Sequence, residues 1–123
     1  MANPFVHVEL NTNDLSKARA FYGKLFGWEF EDMPTDDGTY TLIKVGEGTG
    51  GGMMTNPMPN APSWWLAYVL VDNVAAATEK AKSLGATVKK GITEVKGMGS
   101  FSILADPTGA AIALWEAKPR SGG

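Results

Sequence analysis

Residues 7–30 read HVELNTNDLSKARAFYGKLFGWEF. The stretch changes its period twice, and the fold follows from those changes. Its opening belongs to an alternating run, PFVHVELN at 4–11, in which Val6, Val8 and Leu10 make one apolar face and Phe5, His7 and Glu9 make the other. A period of two is a strand, and its apolar face needs a helix to cover it. From Leu15 the spacing becomes helical: Leu15, Ala18, Tyr22, Leu25 and Phe26 recur on one side. Asn13 or Asp14 offers an N-cap oxygen to the orphan amides of that helix. Gly27 supplies the left-handed stop. WEFEDM at 28–33 then alternates as a second strand.

Moving outward, Thr35-Asp36-Asp37-Gly38 is turn chemistry, TYTLIKVG at 39–46 is a third strand, and GGGMMT at 50–55 a weaker fourth. The order then begins again. WWLAYVLV at 64–71 is a strand, and Asp72 or Asn73 caps a second helix with the apolar line Val74, Ala77, Ala81 and Leu84. Gly85 stops it. Strand-like runs follow near 86–90, 100–105 and 110–116, the last two joined by Asp106-Pro107-Thr108-Gly109, with Pro and Gly at the turn positions that favour them. Asp14 to Gly27 and Asp72 to Gly85 are both thirteen residues apart. The chain therefore reads as one α+β domain over 1–120, built from two βαβββ modules at about 4–55 and 64–117. The join, NPMPNAPS at 56–63, carries Pro57, Pro59 and Pro62 and reads as a stiff extended linker. The expected assembly is an open, curved, mixed or antiparallel sheet, with the helices outside and the inner face lining a cleft. Residues 118–123 read as a disordered tail.

Composition narrows the function. The 123 residues contain no Cys, which excludes disulfides, thiolate metal sites and cysteine nucleophiles. A net charge of −2 without a basic stripe argues against a nucleic-acid partner. No apolar run reaches the ~20 residues of a membrane span, and MANPFVHVEL lacks a signal-peptide layout. A cytoplasmic location is the expectation.

The strand with its Asp-Leu helix start, the Phe21-Tyr22 pair and Leu25-Phe26-Gly27-Trp28 resemble the opening of vicinal-oxygen-chelate proteins, the glyoxalase/bleomycin-resistance/dioxygenase group. Residues 64–85 and the ending ADPTGAAIALWE at 105–116 resemble that group's second module. The resemblance covers about residues 4–117. It implies the paired βαβββ fold, a ligand cleft and a homodimer. Metal-dependent members place four ligands, usually His and Glu, on four cleft strands. The corresponding positions here are His7, Met53 or Met54, Leu66 and Ala113. Thioether and alkyl groups do not hold a hard or borderline divalent ion, and one imidazole cannot do so alone. No metal and no cofactor are therefore expected.

His7, the sole histidine, reads either as a cleft donor or general base or as a packed relic of a ligand position. Glu9 lies about 7 Å further along the same strand face. It could orient His7 or serve with it as an acid–base pair, and a solvated carboxylate at the cleft mouth is the plainer alternative. Trp64, Leu66 and Tyr68 share one face of the fifth strand, Ala113 and Trp115 one face of the last. Together with Phe5, Met53, Met54 and Phe101 they are the candidate ligand-binding residues, an aromatic and thioether wall. Core or interface packing is the competing explanation. The glycines at 46, 48 and 50–52 read as a bend or bulge, not a phosphate loop, because no Lys-Ser/Thr pair follows. The leading expectation is a small-molecule binder taking a hydrophobic or aromatic ligand in a metal-free cleft. A lyase or isomerase using His7 with Glu9 comes second. A metal-dependent glyoxalase or dioxygenase with non-standard ligands comes third.

Overall fold

The computed structural model describes residues 2–35, 38–58 and 60–118. The expected tail beyond Lys118, the turn residues Asp36 and Asp37, and Pro59 lie outside the described residues. The first module runs β1 (Phe5–Thr12), α1 (Leu15–Phe26), β2 (Glu29–Thr35), β3 (Gly38–Lys44) and β4 (Gly51–Thr55). The second runs β5 (Trp64–Leu70), α2 (Val74–Ser83), β6 (Thr87–Val95), β7 (Gly99–Ala105) and β8 (Ala111–Ala117). The chain is α+β with eight strands and two helices among the described residues, and each module has the order βαβββ.

The repeat extends to pairing. In the first module the strand order is β2-β3-β4-β1, with β1 parallel to β4 and the other pairs antiparallel. In the second it is β6-β7-β8-β5, with β5 parallel to β8. In each module the helix carries the chain from the first strand to the module's outermost strand, and two antiparallel turns bring the last strand back to lie parallel beside the first. The chain forms two compact units, Val6–Leu66 and residues 67 onward with the first five residues.

Capping chemistry sets the helix bounds. Asp14 is the N-cap of α1, accepting from the Lys17 amide at 2.9 Å, and Gly27 ends the helix at φ 73°. Asn73 caps α2 in the same way through the Ala76 amide. Glu116 of β8 adds an acceptor for the Val74 amide at 2.8 Å, placing a carboxylate at the positive end of α2. After α2, the Ala86 amide reaches back to the Ala81 carbonyl around Gly85, at φ 102°. Asp106 organises the last turn, its carboxylate accepting from the amides of Thr108 and Ala110 and from the Thr108 hydroxyl. Those bonds, led by the Thr108 hydroxyl, hold its carboxyl below the usual range.

In the first unit Leu10, Ile43 and Met53 form the core, and Leu15, Ala18 and Tyr22 of α1 pack on it with Trp28 and Phe30. Leu25 and Phe26, expected to join that stripe, are each 56% exposed. The Phe26 ring turns instead to Trp28, 4.7 Å between centroids. In the second unit Val74, Thr78, Ser102 and Leu104 are buried, and the Thr78 hydroxyl bonds both the Val74 carbonyl and Ser102. Leu84 departs from the expected stripe, because α2 stops one residue before it and leaves it exposed.

Two further expectations are corrected. Strand β6 reaches Val95 rather than residue 90; irregularities between Val88 and Lys90 and between Lys90 and Thr93 break the alternation that would have revealed its length. The described residues of the 56–63 stretch do not form an extended spacer. The Ala61 amide donates to the Met58 carbonyl at 3.3 Å, and two asparagines tie the stretch down. The Asn56 amide donates to the carbonyls of Ala61 and Pro62 and to the Asn13 side chain, while the Asn13 amide donates to Ala61. The glycine-rich run does bend, over residues 46–49 with Gly46 and Gly48 at φ 102° and 87°, whereas strand β4 itself keeps a regular register with β1 and β3. Its glycines serve close approach: a Cβ at Gly51 would strike the Val8 carbonyl.

Candidate functional site

Alternation along β1 sends Leu10 to the helix side, so Glu9 and Asn11 take the other face, and His7 lies in phase with them. On that helix-distal face a hydrogen-bonded chain begins at the imidazole. His7 Nε2 lies 2.8 Å from the Tyr40 hydroxyl. The hydroxyl donates to Glu9 Oε1 at 2.9 Å, and Asn11 Nδ2 donates to Glu9 Oε2 at 3.3 Å. A hydroxyl has one proton. With that proton on the Glu9 side, His7 Nε2 is the donor to the phenol oxygen. Burial pushes the His7 imidazole below its ordinary range, so it is neutral at pH 7.

Glu9 is 6% exposed, so the solvated-carboxylate alternative does not describe it. A carboxylate this deep needs donors to replace water, and Tyr40 and Asn11 provide them. His7 and Glu9 are therefore brought together, but through a third residue. Tyr40 was not among the candidates, nor was Asn11. Tyr40 stands on β3, with β4 between it and β1, and its ring passes over Gly52, where a Cβ would overlap the phenol. Consecutive glycines within a strand were the available signal of such an approach.

Met53 is corrected. It is fully buried and pairs with Leu10, inside the helix-side core rather than on the face of His7. The alternation leaves Met54, partly exposed, on the opposite side. Trp64 donates its indole N–H to Asn56 Oδ1 at 3.3 Å, and Leu66 is fully buried. Trp65 lies edge-on to Tyr22 of α1, with ring centroids 5.5 Å apart.

In the second unit Tyr68 pairs with Ala113 and lies edge-on to Phe101, 6.0 Å between centroids. Phe101 pairs with Trp115 across β7 and β8, and Gly99 leaves room for the Trp115 ring. Tyr68, Phe101, Ala113 and Trp115 thus form one apolar group. Phe5 is exposed.

The donor set does not fit a divalent ion. No group of three His, Asp or Glu side chains suited to holding a metal occurs among the described residues. Glu9 is engaged by Tyr40 and Asn11, and the other ligand-equivalent positions carry Met54, Leu66 and Ala113. A surface hollow of about 550 Å³ lies elsewhere, between Phe26, Trp28, Lys44 and the glycines at 46, 48 and 50, and includes no member of the His7 network. No helix among the described residues is long and apolar enough to cross a membrane.

Comparison with known proteins agrees with the architecture. A protein of Mycobacterium tuberculosis named as a glyoxylase, CFP32, is 35% identical, over 94% of this chain and 46% of its own length. The anthracycline biosynthesis protein DnrV of Streptomyces peucetius is 27% identical, over 87% of this chain and 44% of its own. This chain therefore spans about half the length of the curated relatives it matches. Among solved structures, methylmalonyl-CoA epimerase from Mycobacterium tuberculosis superposes with a TM-score of 0.69 at 17% identity, over 94% of this chain and 88% of that one. The Streptomyces coelicolor methylmalonyl-CoA epimerase gives 0.72 at 12% identity, over 97% and 100%. At those identities the likeness is one of fold. The profile of the Glyoxalase/Bleomycin resistance protein/Dioxygenase superfamily matches residues 5–114, and the chain belongs to that superfamily.

Proposed function

We propose that this chain binds a small hydrophobic or aromatic molecule without a metal ion, on the helix-distal face that carries His7. The observation behind this reading is the His7–Tyr40–Glu9–Asn11 network, which occupies the first ligand position and ties up the nearby carboxylate. A site built this way offers one neutral imidazole and one phenol for orienting a ligand, with Met54 on the same face. Within the second unit, Tyr68, Phe101, Ala113 and Trp115 form an aromatic surface of their own that suits the same class of ligand. The relative named for anthracycline biosynthesis is compatible with a flat aromatic ligand.

The same network supports a second reading, a lyase or isomerase of glyoxalase type. An imidazole joined to a carboxylate through a phenol is a continuous path for a proton. A relative named as a glyoxylase is compatible with it.

A thermal-shift screen of aromatic and apolar small molecules, with and without EDTA, tests the binding proposal. A ligand at a hundred times its Kd should stabilise the protein by about 2.7 kcal/mol, equally with the chelator. Ligand shifts that appear only when a divalent metal is added would overturn metal independence. His7→Gln separates the two readings: a binder should keep its ligand with a modest loss of affinity, whereas an enzyme should lose turnover. We also propose a homodimer, supported by the exposed apolar surface of Phe21, Leu25 and Phe26 along α1.

A further inference from the structure

We infer that Tyr40 is the positioning residue of this site, fixing the tautomer of His7 and linking it to Glu9, and that Gly52 is the gap that admits it. This deepens the proposed binding site and rests on that reading for its functional meaning.

Neighbouring strands lie about 4.8 Å apart, so β3 and β1, with β4 between them, are about 10 Å apart. A β3 side chain must cross the surface of β4 to meet a residue of β1. Tyrosine is long enough to do so if nothing stands in between. Gly52 pairs with Leu42 of β3 on one side and with Glu9 of β1 on the other, and so lies directly beneath the crossing. A Cβ there would overlap both the hydroxyl and the ring of Tyr40. Even alanine at 52 would displace the phenol. The backbone at Gly52 is not left-handed, so steric room accounts for the glycine rather than conformation.

The consequence for His7 follows from proton counting. Tyr40 gives its proton to Glu9, so its oxygen can only accept from the imidazole. That places the proton of neutral His7 on Nε2. The proton is held in a part-buried hydrogen bond, which should slow its exchange with water. The residue pair therefore determines which imidazole nitrogen is an acid and which a base toward a ligand.

Because the chain has a single histidine, its imidazole signals are unambiguous in a tag-free, ¹⁵N-labelled sample. Above the His7 titration, ¹H–¹⁵N spectra of the ligand-free protein should show a slowly exchanging proton on Nε2. Tyr40→Phe, which keeps the ring, should lose that protected proton, and Gly52→Ala should lose it although the phenol is still present. A protected proton on Nδ1, or none at all in the unsubstituted protein, would overturn the assignment. Its persistence in Tyr40→Phe would do the same for Tyr40, and its persistence in folded Gly52→Ala would do so for the gap. If Gly52→Ala does not fold, Tyr40→Phe still decides the tautomer. Since no ligand is present, these outcomes are independent of the binding screen.

Discussion

His7 is held neutral by burial while its unfolded counterpart titrates near 6.5, and the sign of its effect on stability follows from that difference. Between the depressed folded value and 6.5 the unfolded chain binds more protons, so stability rises with pH across that window and is lost as pH falls through it. Urea unfolding from about pH 7.5 to about pH 5, above the main carboxylate range, should show this decline, and His7→Gln should flatten it. A wild-type curve that is level across the window, or that rises toward acid, would contradict the depressed value. At this scale the sequence was only partly legible. His7 and Glu9 stand out by type and by strand phase. Tyr40 does not, because its partnership with them crosses an intervening strand, and single-strand periodicity holds no information about what lies two strands away.

Elements were far more legible, because each is announced by local chemistry. Asp14, Gly27, Asn73 and Gly85 mark helix ends by capping and left-handed backbone, and those signals need no tertiary context. What sequence left open was the phase of β4, whose two leading glycines have no side chains to alternate. Either methionine could have faced the core. The structure places Met53 there, fully buried against Leu10 and Ile43. Met53→Ala should therefore cost about 2–5 kcal/mol in chemical denaturation. Met54→Ala should cost about 1 kcal/mol or less. The opposite order would reverse the face assignment and put Met53 beside His7. The described part of 56–63 departs from its pattern for a related reason: the prolines suggest extension, while Asn13, distant in sequence, bonds to Asn56, which in turn holds the Pro62 carbonyl.

For the whole molecule, the repeat was legible because two equal Asp-to-Gly spacings exposed it before any strand was paired. Assembly was not, because an exposed apolar side chain looks the same in sequence as a buried one. Phe21, Leu25 and Phe26 leave more than half of their surface open on α1. Light scattering at low micromolar concentration should give the mass of two chains, and Phe21→Ser with Phe26→Ser should shift it toward one. A monomer mass for the unsubstituted protein would reject the homodimer. The ring cluster around α1 has an optical consequence. Trp28, Trp64 and Trp65 all belong to the Val6–Leu66 unit, and Trp115 alone belongs to the other. Three of the four tryptophans thus report on the first unit, and Trp115→Phe confines the tryptophan signal to it. Emission from that variant, followed beside far-ultraviolet dichroism of the whole chain, would show whether the two halves melt together or in sequence, without an attached dye.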